Sequence, residues 1–387
     1  MSIEGGLDIR LHLDGRRVGM VDIHSTRPVH ASRLMVGKTV EEALQLLPVL
    51  FNVCGTAQAA AGVRACEAAL GRSASVDAEA LRNRLVAMET LREHLWRIFL
   101  EWPPFYGGEV DKTHLREMIE LLGGYRGAGT VDGEPFAIGF QGGWREGAEI
   151  ASIHHRLERW LEQHLFGMPP ADWLGLNSLV HLRQWMEDHG TVAASYLRRL
   201  GGSGWYGSGT VDTTPLGDLD EGRLQGFMDE EAFVGRPQWD GRCCETSSFT
   251  RTDTPLLTAI EAEYGAGLLA RVVALLSEVA QLVGWLQNGR VAQTTAVHHS
   301  NPGIGQAEAA RGLLVHRVEL EKDRVARYQI LAPTEWNFHP RGVVARSLAA
   351  LDGGAREVEA QAHLLVRVID PCVGYRLRVE EGVPARA

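Results

Sequence analysis

Between Val76 and Leu100 the apolar residues Leu81, Leu85, Met88, Leu95 and Phe99 recur at three- and four-residue steps. That spacing is one face of a long amphipathic helix. Trp102-Pro103-Pro104 ends it, because a residue before proline is pushed out of the helical region. Such a face needs a large partner surface. A chain of 387 residues with 45% hydrophobic residues can bury one.

Other segments point the same way. Thr39-x-x-Glu42 is a capping box opening a short helix that Pro48 disturbs, and Ala57–Leu70 reads as an alanine-rich helix. Helices are also expected at Leu115–Leu122, Ile150–Phe166, Trp173–Leu200 (one or two), Leu256–Leu286 with a break at Gly265 and Gly267, and Val343–Leu351. Residues 7–24 alternate as a β-hairpin about Asp14-Gly15, and Leu314–Leu331 as a second about Lys322-Asp323. Gly123–Gly147 reads as loop, and Gly201–Asp240 shows little periodicity. The expected fold is mainly α (α+β), multihelical with small antiparallel β-hairpins. No repeat or linker divides it, so residues 1–387 are taken as one domain.

Composition excludes several functions. The net charge is -10 and no dense basic patch interrupts it, so nucleic acid is not an expected partner. Ala43–Val63 carries no charge and could span a bilayer by length. It contains Gln45, Pro48, Asn52, Gly55 and Gln58, so a buried helix–loop–helix is expected and not membrane insertion. Five cysteines in so large a chain, Cys54, Cys66, Cys243, Cys244 and Cys372, suggest free thiols in a reducing compartment. Met1-Ser2-Ile3-Glu4 lacks the pattern of a signal peptide, so the cytoplasm is the expected location.

Four short segments carry the chemistry. They are Asn52-Val53-Cys54-Gly55, Glu308-Ala309-Ala310-Arg311-Gly312, Ala332-Pro333-Thr334-Glu335-Trp336-Asn337 and Asp370-Pro371-Cys372. Each alone is unspecific, since a free cysteine usually packs as a small hydrophobe. In order, and together with Ile3-Glu4-Gly5, Glu245-Thr246, Arg251, His316 and Tyr328-Gln329, they resemble the large subunit of NiFe hydrogenases nearly end to end.

That family holds its metals with two Cys-x-x-Cys pairs. The first members stand here as Cys54 and Cys372, and the second are replaced by Ala57 and Tyr375. The motif histidines are replaced by Ala61 and Arg378, and a structural-cation carboxylate by Arg33. Two thiolates cannot both chelate nickel and bridge it to iron, but two can hold one iron. The resemblance therefore implies a maturation scaffold of the hydrogenase expression/formation type, without catalysis. Its cargo would be an Fe(CN)2(CO) iron unit, transiently bound, with no nickel. Cys54 and Cys372 would be the iron ligands, Arg311 and Thr334 the cyanide donors, Pro333 part of the pocket, and Asp370 a brace for the C-terminal loop. Implied partners are the maturation proteins that build the iron–cyanide unit and the NiFe-hydrogenase large subunit that accepts it.

Two alternatives remain open. A divergent catalytic large subunit would need Cys243 and Cys244 as further ligands, and a metal-free structural homologue would need no thiols. Family hydrogenases are trimmed after the last motif histidine. That position is Arg378, followed by Val379–Ala387, and no trimming is expected. Cys66, Cys243 and Cys244 match no ligand position. Glu4 matches a proton-relay carboxylate but reads as solvated. His154-His155 and His298-His299 read as poor chelators, because adjacent residues on a helix point apart. Arg82, outside every motif, is expected at the surface.

Overall fold

The computed structural model describes residues 5–27, 31–130, 133–288 and 300–382. Strands β1 (Leu7–Asp14) and β2 (Arg17–Ser25) form the first hairpin, with Gly15 at φ 61° in its turn. Helix α1 (Val40–Leu50) opens on the Thr39 capping box. Its Oγ1 accepts from Glu42 N–H at 3.2 Å, and Glu42 Oε2 accepts from Thr39 N–H at 2.9 Å. After α1 the path bends by 99° into α2 (Gly55–Ala69). The uncharged stretch is thus a broken helix pair, and α2 is buried over nearly all its length.

Helix α3 (Val76–Glu101) buries Leu81, Leu85, Met88, Leu95 and Phe99, the stripe read from the sequence, together with Leu91 and Ile98. It packs with the apolar Leu268–Asn288 helix in the main core, which runs from Leu7 to Val373. Among the described residues, only this last helix is long and apolar enough by itself to cross a membrane, and 83% of that window is buried.

The second sheet is β3 (Gly303–Ala309), β4 (Gly312–Glu321) and β5 (Arg324–Leu331), antiparallel in that order. Lys322 and Asp323 turn β4 into β5 with φ of 50° and 62°. Helix α2 lies directly on β3. A Cβ at Gly303 would sit 2.2 Å from the Ala65 carbonyl oxygen, and one at Gly305 2.1 Å from that of Ala61. The alanines of α2 and these glycines are what allow helix and strand so close. A last strand, β6 (Tyr375–Glu381), joins β1 in parallel, giving the order β2-β1-β6.

The fold class is as expected, with several local differences. The Leu115–Leu122 helix runs as Lys112–Gly129, through the glycine-rich stretch. Tyr125 is buried on it, and a Cβ at Gly129 would lie 2.0 Å from the Trp144 ring. Packing there outweighs the poor helix propensity of glycine. Trp173–Leu200 is covered by three helices, Pro170–Leu174, Leu179–Asp188 and Val192–Gly202. Helices Glu221–Asp229 and Glu231–Gly235 occupy the segment of weak periodicity. The Ala355–Ile369 helix and strands β3 and β6 were not anticipated.

Arg82 is the clearest correction. Its side chain is 0% exposed and paired with Glu67 at 2.8 Å and Glu79 at 2.6 Å, while Arg64 of α2 binds Glu79 from the other side. Two buried carboxylates, Glu79 on its own helix and Glu67 on the preceding α2, keep the guanidinium inside, as a buried charge requires.

Candidate metal centre

Cys54 closes a short 3-10 turn, Asn52–Cys54, at the mouth of α2. The first N–H groups of a helix have no partner within it. Here the buried Glu89 carboxylate of α3 takes those of Thr56 at 2.8 Å and Ala57 at 3.0 Å. Burial pushes the Glu89 carboxyl above its ordinary range, and those N–H groups pull it back.

One turn along α2, Gln58 Nε2 donates to Cys54 Sγ at 3.5 Å. Its Oε1 lies 2.8 Å from His316 Nε2, and His316 Nδ1 lies 2.8 Å from the Tyr328 hydroxyl. Since Gln58 donates to sulfur through its NH2, its Oε1 accepts from His316 Nε2–H. His316 Nδ1 then accepts from Tyr328. His316 is fully buried, and that burial pushes it down to about 3, so it is a neutral link in the chain.

Cys372 is built from the other end of the chain. The Ala355–Ile369 helix stops at Asp370, whose φ is 66°. The Asp370 carboxylate pairs with Arg97 of α3 and with Arg311 Nε at 3.1 Å. Two residues on, the Cys372 N–H donates to Thr334 Oγ1 at 3.2 Å, and the same hydroxyl lies 3.0 Å from Cys372 Sγ. Pro333 starts the short Pro333–Asn337 helix that presents Thr334.

Arg311 occupies the two-residue turn from β3 to β4, where Ala309 pairs with Gly312. Gly312 has φ 124°, and a Cβ there would lie 2.3 Å from the Thr246 carbonyl oxygen, so the turn requires glycine. The other motif residues hold this turn. Arg251 donates to the carbonyls of Ala309 at 3.0 Å and Ala310 at 3.1 Å. Asn337 accepts from Thr246 N–H at 2.9 Å and donates to the carbonyls of Thr246 at 2.7 Å and Arg311 at 3.3 Å. Glu245 pairs in the core with Arg271 at 2.8 Å.

The structure brings Cys54 and Cys372 to one cavity of about 60 Å³, room for several water-sized groups. Burial, then the nearness of Cys372, pushes the Cys54 thiol up to about 12, while Gln58 and Arg311 oppose that. Arg311 lies across Val53 from this cavity and lines the adjoining cleft with Glu93 and Arg97. Against burial, Asp370, Glu93 and any charge on Cys372 or Cys54 favour its ionised form. Arg311 is 5% exposed, and its Nη1 has no hydrogen-bond partner among the described residues. A buried N–H of this kind, across Val53 from the cavity of two sulfurs, fits an anionic diatomic ligand on a sulfur-bound metal. Pro333 and Thr334 are buried behind Cys372 and do not line the cavity itself.

Other candidates are placed elsewhere. Cys244 is buried in an apolar cluster with Leu224 and Met228, and Cys66 in another with Leu47 and Val63. Cys243 Sγ lies 3.2 Å from His339 Nδ1, and neither it nor Cys244 lines the Cys54–Cys372 cavity. His154 is buried and His155 exposed, so that pair does diverge. Arg33 is exposed and bonds Glu231 at 2.6 Å. Glu4 and His298-His299 lie outside the described residues. Among the described residues, no group of three or more His, Cys, Asp or Glu could hold a metal. Sequence reasoning missed Gln58, Glu89 and Arg27. The (i, i+4) spacing of Cys54 and Gln58 at a helix start was the available signal for Gln58.

The fold defined by these elements is that of a nickel–iron-type hydrogenase large subunit. The selenium-containing nickel–iron hydrogenase of Desulfovibrio vulgaris Hildenborough superposes with a TM-score of 0.63, covering 93% of this chain and 94% of that one, at 16% identity. The family model described as Nickel-dependent hydrogenase matches residues 256–373. Within that fold, the hydrogenase expression/formation protein HoxV of Cupriavidus necator is 31% identical, covering 93% of each chain. HupK of Bradyrhizobium diazoefficiens, of the same description, is 30% identical over 98% of each. This chain belongs to the hydrogenase expression/formation protein family.

Proposed function

We propose that this protein serves hydrogenase maturation as a non-catalytic scaffold that carries an Fe(CN)2(CO) unit on Cys54 and Cys372. It would take the unit from the proteins that build the iron–cyanide centre and yield it to the NiFe-hydrogenase large subunit. One observation carries this reading: two thiols from distant parts of the chain line a single cavity, and across Val53 from it lies a buried guanidinium with an N–H that has no partner among the described residues.

The residues would divide the work as follows. The two sulfurs bind, as thiolates, once their protons are displaced. Gln58 and Thr334 orient them through the Cys54 and Cys372 contacts. Arg311 would donate to a cyanide nitrogen, with Asp370 and Glu93 fixing its fork. Ala57 is buried where a second thiol of the first pair would stand, and Cys243 and Cys244 lie away from the cavity. Both support a mononuclear site.

The test is metal analysis and infrared spectroscopy of protein co-produced with the hydrogenase accessory proteins and purified without oxygen. Iron without nickel, with cyanide and carbon monoxide bands, is expected. Stoichiometric nickel with iron would establish a divergent catalytic subunit. Absence of both metals would establish a structural homologue.

A further inference from the structure

The cavity of Cys54 and Cys372 is also lined by Arg27 and Glu335, for which two-thiol ligation alone gives no role. Arg27 follows β2, and its side chain is only 12% exposed. Its Nη1 donates to Glu335 Oε1 at 2.6 Å. Glu335 Oε2 is buried and has no hydrogen-bond partner among the described residues. Among the described residues, that single carboxylate oxygen is the side-chain partner of Arg27, and it leaves most of a five-donor fork unspent. Ion pairs that are merely structural are favourable when both partners are fully satisfied, and this one is not.

The charge of the proposed cargo makes sense of the surplus. Iron(II) contributes two positive charges, and two cyanides and two thiolates contribute four negative ones. The loaded centre is therefore a dianion in a buried site. Arg311 faces it from across Val53, with Asp370 and Glu93 already sharing its charge. Arg27 faces it from within the cavity, and against burial any charge on Cys372, Glu335 or Cys54 favours its ionised form.

We infer that Arg27 is a second positioning residue for the iron unit, its fork donating to a cyanide from the cavity side while Glu335 holds it in place. This rests on the iron-carrying reading. Arg27 and Arg311 then bracket the dianion with two guanidinium groups. Glu335 sets how much of the Arg27 charge the cyanide receives.

The experiment uses the full chain, co-produced and purified as above, with infrared spectra and iron release to a chelator as readouts. A cation at the cyanide nitrogen withdraws electron density from iron. Arg27→Leu should therefore shift the cyanide and carbon monoxide bands to lower frequency and speed iron loss about tenfold. Glu335→Gln preserves shape and frees the fork, so its bands should shift the opposite way. Arg27→Lys should fall between parent and Arg27→Leu. Opposite shifts from the two partners would not arise from a purely structural ion pair. Unmoved bands and unchanged iron retention in Arg27→Leu overturn the inference and leave the iron-carrying reading standing. If Arg27→Leu does not fold, unmoved bands in Glu335→Gln overturn it equally. A parent protein without cyanide and carbon monoxide bands overturns both.

Discussion

Cys54 opens a helix buried on all sides, whereas Cys372 lies on a loop between a helix and an edge strand. The difference is plainest at the positions where a second thiol would stand. Ala57 is 0% exposed, packs with Ala60, Ala61 and Val86, and gives its N–H to Glu89. Tyr375 begins β6, pairs with Leu7, and places its hydroxyl 3.0 Å from His363 Nδ1. One ligand position has been absorbed into close helix-on-strand packing, and the other has been given to a strand and a side-chain hydrogen bond. The first thiol is thus held by a rigid, deeply buried network. The second depends on the Asp370 ion pairs and one hydroxyl.

The sharpest break would come from the sulfurs themselves. Cys54→Ser and Cys372→Ser should each abolish the iron and its infrared bands, with the thermal midpoint little changed. Full loading in either variant would show that the two motifs are not partners in one site.

Next in size is Arg311→Leu, which takes one of two arginine partners from Asp370 and from Glu93 and leaves them Arg97 and Arg92. Leaving a buried charge without any partner costs about 3–5 kcal/mol, and here each carboxylate keeps one. A smaller loss than that in denaturant unfolding is expected, together with shifted cyanide bands and only partial rescue by Arg311→Lys. Arg17→Leu, whose side chain is 85% exposed, is the control and should change neither.

Acid should distinguish the two sides of the cavity. His316 titrates near 6.5 in the unfolded chain and only near about 3 in the fold. Between these values the unfolded state binds the extra proton, so this histidine's contribution to stability is present above pH 6.5 and falls as pH drops toward 3. At pH 4 the loss is roughly 3 kcal/mol relative to neutral pH. His316→Gln should remove about one proton from the slope of stability against pH, as read by denaturation at several pH values. Thr334→Val, on the Cys372 side, should leave that slope unchanged.

Restoring the missing thiols should expose the packing difference directly. Ala57→Cys adds volume to a filled site and should destabilise by about 1–3 kcal/mol. Tyr375→Cys removes one hydrogen bond at a half-buried position and should cost about 1 kcal/mol. Equal costs in chemical unfolding would mean that the two positions are not differently packed.

The smallest expected effect is none at all. Arg378 lies inside β6, paired with Arg10 of β1. A cut after it would take Val379–Glu381 from the sheet. Intact mass from the native host should show no species ending at Arg378, and such a species would revive the catalytic alternative.

Much of the fold follows from interactions within a few residues. The stripe from Leu81 to Phe99, the Thr39–Glu42 cap and the turns at Asp14-Gly15 and Lys322-Asp323 are local, so the sequence alone was enough to place them. The ordered motifs likewise named Cys54, Arg311, Thr334 and Cys372 without any coordinates. What depends on distant partners could be decided only in three dimensions. Strand β6 is a strand because β1, from the other end of the chain, offers it a parallel partner. Arg82 is inside, not at the surface, because Glu67 and Glu79 meet it there. The Gly123–Gly129 segment is helical because Tyr125 is buried and Trp144 covers Gly129. Gln58 reaches His316, and Arg27 reaches the cavity of both cysteines, across separations that no periodicity records. A buried charge or polar group is stable only with its partner in place, and that partner is chosen by tertiary packing.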